Sequence, residues 1–159
     1  MASSSSSTSA TLIFLHGEGL NGQGELRTAM SCLPIEALEF RTFREAATEH
    51  EISLVTPTAG EIAYTPSLGE LVPAWFNRSS DYHRLGRDDT FEDVRGMSDS
   101  LRILRQCIAD LEQSYQVIFV GGIGMGGELA LHLLSDSHLS KAVVGIFSIS
   151  SMILHDDEL

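Results

Sequence analysis

The feature that most constrains this sequence is a run of glycines at residues 121–127, which reads Gly-Gly-Ile-Gly-Met-Gly-Gly. An apolar segment at residues 117–120 precedes the run, and a longer apolar segment near residues 128–135 follows it. A short apolar run beside turn residues is typical of a strand buried on both faces, and the longer segment favours a buried helix. Glycine allows tight turns and close backbone approaches that side chains forbid. The run therefore predicts a strand, a sharp turn and a helix that pack closely together.

Alternating apolar segments predict the same order of elements along the rest of the chain. The most regular of them has apolar residues at steps of three and four and follows the capping box Thr90-Phe-Glu-Asp93. The alternation predicts an α/β fold in which a mainly parallel sheet carries helices on both faces. The predicted strands cover residues 11–15, 52–56, 117–120 and 142–148, and the predicted helices cover residues 26–43, 91–111 and 128–135.

Composition divides the chain into a tail and one domain. Residues 1–10 are almost entirely Ser, Thr and Ala, which cannot bury enough apolar surface to offset their ordering entropy, so a disordered Ser-rich tail is predicted. Residues 11–159 are predicted to form the domain, since 43% of the chain is hydrophobic and 20% is charged. Residues 59–89, rich in Gly, Pro, Ser and Asp, are predicted as a long loop of the kind that usually carries function.

Charge and hydropathy exclude several classes of partner. A net charge of −12 repels phosphate backbones and anionic lipid headgroups, so nucleic-acid binding is not expected. No apolar run approaches the roughly 18 residues that span a bilayer, so stable membrane insertion is not expected either. Two cysteines are too few for a disulfide framework, and no segment resembles a signal peptide. The sequence therefore predicts a cytoplasmic protein.

The glycine run also matches a catalytic turn in all but one residue. In the nucleophile elbow of α/β hydrolases, a GxSxG pattern lies between a strand and a helix and projects the serine oxygen. Here the pattern is Gly122-Ile-Gly124-Met-Gly126, so glycine stands at the serine position. Because glycine has no side chain that could attack a carbonyl carbon, nucleophilic catalysis at Gly124 is excluded.

Further segments resemble those of one hydrolase family in the same order along the chain. Together they resemble the acyl-protein thioesterase and phospholipase/carboxylesterase family of the α/β hydrolases, and its lysophospholipase-like branch in particular. The segments are Leu-Ile-Phe-Leu-His-Gly at residues 12–17, Gly19, Asn-Gly-Gln-Gly at residues 21–24, Pro-Thr-Ala at residues 57–59, Tyr-Thr-Pro at residues 64–66 and Ala-Trp-Phe-Asn at residues 74–77.

The resemblance implies a fold, a chemistry and several site residues. It implies an α/β-hydrolase fold and hydrolysis of a carboxylic ester or thioester through an acyl-enzyme, without a metal or organic cofactor. The backbone N–H groups of Glu18 and Met125 would form the oxyanion hole, which stabilises charge on the substrate oxygen. Trp75 would line the acyl pocket, although packing alone also explains a large aromatic residue. His16 is expected to fix its loop by hydrogen bonding rather than to act as a base.

The chain also departs from the family pattern. Asn77 replaces the Asp of the family's Trp-Phe-Asp segment, and glycine replaces the nucleophile. The triad order is Ser, then Asp or Glu, then His, but the sequence ends at Leu159 without an acid and a histidine in suitable places. We therefore expect a truncated, catalytically deficient domain that lacks the C-terminal strands of the family. Residues 142–148 would then form an exposed sheet edge through which the chain could self-associate.

Two alternatives remain open from the residues alone. The glycines at positions 122, 124 and 127 also satisfy GxGxxG, the pattern of a dinucleotide-binding turn, but the next strand ends in Ser-Ile-Ser at residues 148–150 rather than in an acidic residue. Alternatively, Ser148, Ser150 or Ser151 could supply the missing hydroxyl at the rim of the sheet, although serines at strand ends commonly serve local hydrogen bonding.

Overall fold

The computed structural model describes residues 9–28, 34–35, 41–78, 93–137 and 139–151. Within these ranges, short strands and helices alternate along the chain. The strands are β1 (Ala10–Leu15), β2 (Pro34–Ile35), β3 (Arg41–Thr42), β4 (Ile52–Val55), β5 (Glu61–Tyr64), β6 (Glu70–Pro73), β7 (Val117–Ile123) and β8 (Val143–Ile149). The α-helices are α1 (Phe43–Glu49), α2 (Val94–Glu112) and α3 (Met125–His132).

Four parallel strands form the central sheet, in the order β4-β1-β7-β8. Strands β1 and β7 pair from Ala10 with Val117 to Leu15 with Gly122, so they end side by side. Because parallel strands share their carboxyl edge, the loop after β1 and the glycine turn after β7 meet there. The predicted α/β fold with a mainly parallel sheet is confirmed.

One face of the sheet carries the main core. Ile13, Leu15, Ile118 and Val120 are completely buried on this face. They belong to one apolar cluster with residues of α2 and α3, among them Leu104, Ile108 and Leu129. Burying such a side chain contributes roughly 1.5–3 kcal/mol, so this face holds the helices that position the glycine turn.

The opposite face is only partly covered among the described residues. Leu12, Phe14 and Leu26 form a second cluster, and Phe43 of α1 packs against it. Toward β7 and β8 the same face is open, and Phe119, Phe147 and Ile149 are 36%, 38% and 47% exposed. Helices lie on both faces, as the fold prediction requires, but in the described residues the second layer leaves β7 and β8 exposed.

The region around Pro34 differs from its prediction. Instead of one helix over residues 26–43, the described parts contain a π-helical turn (Gly22–Leu26) that continues as helix to residue 28, followed by the antiparallel pair β2–β3. The helix begins only at Phe43, where Thr42 and Glu45 form a capping box: the Thr42 hydroxyl accepts from the Glu45 N–H, and the Glu45 carboxylate accepts from the Thr42 N–H. This Thr-x-x-Glu signature favours a helix start at this point.

Two other predicted boundaries are also wrong. The predicted loop at residues 59–89 contains the β5–β6 hairpin, whose turn places Leu68 and Gly69 at positive φ. Helix α2 begins at Val94 rather than at the predicted capping box, because the Asp93 carboxylate caps it by accepting the Gly96 N–H at 2.9 Å. The predicted cap at Thr90 lies outside the described residues.

The domain already includes residues that the sequence assigned to the tail. The Ser9 hydroxyl donates to the Ser114 carbonyl at 3.0 Å, and the Gln116 N–H donates to the Ser9 carbonyl at 3.2 Å. Ala10 is the first residue of β1. Among the helices in the described ranges, none is long and apolar enough to cross a bilayer.

Candidate active site

The glycine elbow connects β7 to α3 through a single residue. Gly124 has φ +54° and ψ −123°, a backbone conformation that L side chains rarely adopt. Its N–H donates to the Ile149 carbonyl at 3.0 Å, and its carbonyl accepts from the Glu128 N–H at 3.1 Å. The chain thus turns from strand to helix at one residue whose conformation favours glycine, which is the backbone arrangement of a nucleophile elbow.

The glycines on either side of Gly124 are required by close packing. A Cβ atom at Gly126 would lie 2.5 Å from the His16 carbonyl oxygen and 2.6 Å from the Leu15 carbonyl oxygen. A Cβ atom at Gly122 would lie 2.5 Å from the Gly126 carbonyl carbon. All three distances are below any van der Waals contact, so the first turn of α3 packs directly on the backbone of β1 and β7.

Gly124 itself has space for a side chain. A Cβ atom at this position would lie 3.6 Å from Glu18 Oε2 and 3.9 Å from Gly17 Cα, which are ordinary contacts. The positive φ would still cost a side chain of order 1–3 kcal/mol. The elbow therefore keeps both the turn and the room for a nucleophile, without the nucleophile.

The predicted oxyanion residues lie beside the elbow. Glu18 is partly buried in the loop after β1, which the Gly19 N–H anchors by donating to the Pro73 carbonyl at 2.9 Å. Met125 is buried and is the first residue of α3, where N–H groups have no acceptor within the helix. The structure thus brings Gly124, Glu18 and Met125 together, while the role of the two N–H groups remains a prediction.

His16 braces the loop after β1, as expected. Its side chain is fully buried, and Nε2 accepts the Ala59 N–H at 2.9 Å. Nδ1 must then carry the proton, which it donates to the Gly17 carbonyl at 2.6 Å. Burial lowers the pKa of His16 below its usual value, although the hydrogen bond to Gly17 acts in the opposite direction.

Trp75 lies behind this loop, inside the core. It is 4% exposed, and its indole N–H donates to the His16 carbonyl at 2.9 Å. The Ser100 hydroxyl of α2 donates to the Trp75 carbonyl. Trp75 therefore ties the loop after β1 to the helix layer, and its contact with an acyl chain remains a prediction.

Asn77, the departure from the family's Asp, has a clear structural role. Its side-chain oxygen accepts the N–H groups of Thr65 and Arg78, each at 2.9 Å, and its amide nitrogen donates to the Thr65 hydroxyl at 2.9 Å. Its own N–H donates to the Asp93 carboxylate. A carboxylate could accept the same two N–H groups and the hydroxyl hydrogen, so Asn77 preserves the geometry that an Asp would give.

An ion pair beneath the elbow was not predicted from the sequence. Arg78 and Glu128 are 7% and 1% exposed, and their charged groups are in direct contact. The Arg78 guanidinium also lies 5.2 Å from the centre of the Phe76 ring. The signal was a carboxylate in the otherwise apolar segment of α3, because a fully buried Glu is almost never without a partner.

The two alternative sites gain no further support from the geometry. The Ser148 and Ser151 hydroxyls hydrogen-bond to each other, and Ser150 between them has φ +51°. The glycines of the GxGxxG pattern are explained by contacts within the chain, since a Cβ at Gly127 would collide with the Ser148 hydroxyl. Neither arrangement requires a nucleotide or an activated serine.

A cavity of about 290 Å³ lies away from the elbow, beside β4 and α1. Apolar side chains, including Phe43, Ile52 and Leu54, line it together with Arg27 and Arg44. It shares no residue with the glycine elbow or the loop after β1. The cavity therefore contributes nothing to the chemistry of the elbow.

Comparison with known proteins identifies similar sequences. A family profile described as phospholipase/carboxylesterase matches residues 1–159. Lysophospholipase-like protein 1 from Mus musculus is 32% identical over 150 residues, a match that covers 91% of this chain and 55% of that protein. Acyl-protein thioesterase 1 from Candida albicans is 30% identical over 134 residues, with 82% of this chain and 52% of that protein covered.

Solved structures show the same fold. The crystal structure of Zea mays acyl-protein thioesterase 2 matches with a TM-score of 0.57 and 26% identity, and the match covers 77% of this chain and 44% of that one. The chain spans about half the length of the curated relatives that it matches. The similarity therefore covers most of this chain but only about half of these relatives.

Proposed function

Since the chain belongs to the phospholipase/carboxylesterase family, we propose that it binds acyl esters or thioesters at the glycine elbow without forming an acyl-enzyme. The family is of the carboxylesterase and acyl-protein thioesterase type. The observation that supports the proposal is the conformation of Gly124: φ +54° with space for a side chain, and no side chain present. A turn that has this conformation without the group it normally presents retains a binding geometry but lacks a reaction step.

The lost step follows from elementary chemistry. In a serine hydrolase of this type, an oxygen at the elbow attacks the carbonyl carbon, and the oxyanion that forms is stabilised by backbone N–H groups. At position 124 only a carbon-bound hydrogen faces the substrate, so no covalent bond to the acyl group can form there. The N–H groups of Glu18 and Met125 would still polarise a carbonyl oxygen, which supports binding but not turnover.

Turnover is tested with p-nitrophenyl octanoate. We expect the purified chain to release p-nitrophenol no faster than buffer does. Saturable release that the substitution Gly124→Leu abolishes would contradict the proposal, because it would locate a competent reaction at the elbow. Circular dichroism of both proteins checks that the variant is folded.

Binding is tested with methyl octanoate, a neutral ester that lacks a good leaving group. Saturation-transfer NMR should show contact with the ester, and the melting temperature should rise because the ligand binds only the folded state. Gly124→Leu fills the open space at the elbow and should weaken binding at least about tenfold, equivalent to about 1.4 kcal/mol.

Gly69→Leu is the matched control for the binding test. Gly69 also has positive φ, and an added Cβ would meet nothing within 4 Å, but this residue lies in the β5–β6 turn. It therefore introduces a similar backbone strain away from the elbow and should leave the affinity unchanged. Equal binding by the two variants would place the ester elsewhere and contradict the proposal.

A further inference from the structure

The dipeptide Asn21-Gly22 lies in the loop after β1, at the start of the helical turn Gly22–Leu26. An asparagine amide is open to attack by the main-chain nitrogen of the next residue, and glycine shields that nitrogen least because it has no side chain. The other asparagine, Asn77, is followed by the large Arg78. Asn21 is therefore the asparagine of this chain whose sequence favours spontaneous deamidation.

The packing of the loop explains both residues of the dipeptide. The Asn21 side-chain oxygen accepts the N–H groups of Gln23 and Gly24, each at 3.0 Å, and so caps the helical turn. At Gly22, an added Cβ atom would collide with the Pro57 carbonyl oxygen. The fold thus uses a good capping residue and a residue without a side chain, and together they make a reactive pair.

Deamidation at this dipeptide needs only water as a co-reactant. The Gly22 main-chain nitrogen attacks Cγ of Asn21, a C–N bond forms and the Cγ–Nδ2 bond breaks. Ammonia leaves with the proton from the Gly22 nitrogen, and a five-membered succinimide ring remains. Water then opens the ring: attack at Cγ gives aspartate, and attack at the main-chain carbonyl carbon gives isoaspartate, in which the chain continues through the side chain.

The folded loop holds Asn21 in a conformation that cannot close this ring. The ring requires Cβ and the Gly22 nitrogen to lie on the same side of the Cα–C bond, with ψ near about −120° because the substituents of Cα are about 120° apart. Asn21 has φ −101° and ψ 116°, so a rotation of more than about 100° about this bond must precede the attack. That rotation would turn Gly22 out of its place against Pro57 and break the cap.

We propose that Asn21 is a modification site controlled by opening of the loop after β1: the folded loop suppresses deamidation, and the opened loop permits it. The proposal does not depend on the proposed function, since it concerns the main chain of the loop. Aspartate keeps oxygens that accept the Gln23 and Gly24 N–H groups, so the loop closes again. Isoaspartate places one additional carbon in the main chain before Gly22, which then no longer reaches its place against Pro57.

The rate of deamidation is measured by peptide mass spectrometry, because exchange of the amide for a carboxyl group changes the mass of the peptide that contains residues 21 and 22. In mildly alkaline buffer, the folded chain should deamidate at Asn21 at least about tenfold more slowly than the same chain unfolded in guanidinium chloride, since the folded chain reacts only from the opened loop. Equal rates in the folded and unfolded chains would overturn the proposal.

Thr58→Val tests whether the contacts of the loop set the rate. The Thr58 hydroxyl accepts the Gln23 N–H at 3.2 Å, beside the cap that Asn21 makes, and valine has a similar shape without the hydroxyl. Loss of this hydrogen bond should accelerate deamidation of the folded chain about two- to tenfold. The matched control is Thr48→Val, which removes a hydroxyl that donates to the Arg44 carbonyl within α1 and should leave the rate unchanged. An unchanged rate in Thr58→Val, or equal acceleration by both variants, would overturn control by the loop.

The melting temperatures of the two products test their different effects on the loop. Asn21→Asp corresponds to the aspartate product and should keep the melting temperature of the unmodified chain, because Asp and Asn are about equally favourable capping residues. The isoaspartate form, separated by chromatography after deamidation in guanidinium chloride and refolding, should melt at a lower temperature. Equal melting temperatures of the aspartate and isoaspartate forms would contradict this part of the proposal.

Discussion

The two sides of the glycine elbow differ in how much room they leave for added side-chain atoms. On the side that faces the sheet, added side-chain atoms at Gly122 and Gly126 would collide with backbone, and the Arg78–Glu128 pair is buried beneath. On the other side, Gly124 has space for a side chain and faces Glu18 across an ordinary contact distance. Among the described residues, the elbow thus packs closely on the sheet side and has glycine at the open position.

This difference separates two kinds of constraint on one short turn. The glycines that face the sheet are needed for α3 to reach β1 at all, whatever chemistry the turn performs. The residue on the open side is constrained only by its backbone conformation, for which glycine is the least costly residue. Glycine at this position is therefore compatible with the fold and avoids the strain that a side chain would meet there.

The largest expected effect comes from the buried pair on the sheet side. Glu128→Leu leaves the Arg78 guanidinium buried without its carboxylate, and we expect a loss of about 3–5 kcal/mol in the free energy of unfolding by urea titration. The double variant Arg78→Met with Glu128→Leu should recover most of this loss. Asp99→Asn removes the exposed partner of Arg102 and should cost less than about 1 kcal/mol. If Glu128→Leu lowers the free energy of unfolding no more than Asp99→Asn does, the buried pair does not stabilise the sheet side of the elbow.

A glycine series compares the two sides directly. Gly126→Ala places a methyl group 2.5 Å from the His16 carbonyl oxygen, and we expect it to cost about 3 kcal/mol of unfolding free energy. Gly124→Ala meets no such clash and should cost only about 1–2 kcal/mol of backbone strain, as should Gly69→Ala. A cost for Gly124→Ala that equals or exceeds that of Gly126→Ala would remove the distinction between the sides.

Protonation of His16, in the loop after β1, should make the free energy of unfolding depend on pH. Burial lowers the pKa of His16 from its usual 6.5, so the unfolded chain binds more protons than the folded chain below that pH. The contribution of neutral His16 to the free energy of unfolding is therefore fully present above about pH 6.5. It decreases as the pH falls toward the lower pKa that His16 has in the folded chain. His16→Gln, which can still accept the Ala59 N–H, should show a shallower loss of unfolding free energy between pH 7 and pH 5. An identical slope in both proteins would contradict the hydrogen-bonding scheme.

The smallest expected effect concerns self-association through β8. Strand β8 is at the end of the described sheet, and Val144 on it is 56% exposed. We expect weak self-association through this edge, visible as concentration-dependent sedimentation, and Val144→Lys should reduce it. Ile103→Lys on α2, where Ile103 is 49% exposed, is the control. Equal effects of the two substitutions would exclude β8 as the contact.

The sequence predicted the elements whose local pattern and tertiary surroundings agree. The strands of the central sheet and the turn at Gly124 were predicted because buried parallel strands are short, continuously apolar and bounded by glycine or proline. The β5–β6 hairpin was missed because its strands are only four residues long and its turn requires positive φ at Leu68, which the sequence does not signal. The helix predicted around Pro34 is wrong because its apolar residues have mixed spacing, whereas the Thr42–Glu45 capping box starts a helix at Phe43.

The parts of the candidate site that depend on the backbone could be predicted from the sequence. The elbow and the loop after β1 meet as predicted because parallel pairing brings their strand ends to one edge. Contacts between distant side chains were not predictable, since nothing local in the sequence links Arg78 to Glu128 across 50 residues. The approach of the Glu18 side chain to Gly124 depends likewise on the path of the loop over the elbow.

The most direct measurement of the central claim, an intact elbow without a nucleophile, is mass spectrometry of the purified chain after prolonged incubation with p-nitrophenyl octanoate. We predict that the peptide containing residues 121–127 keeps its unmodified mass. An octanoyl group on that peptide, absent after denaturation before incubation, would contradict the account.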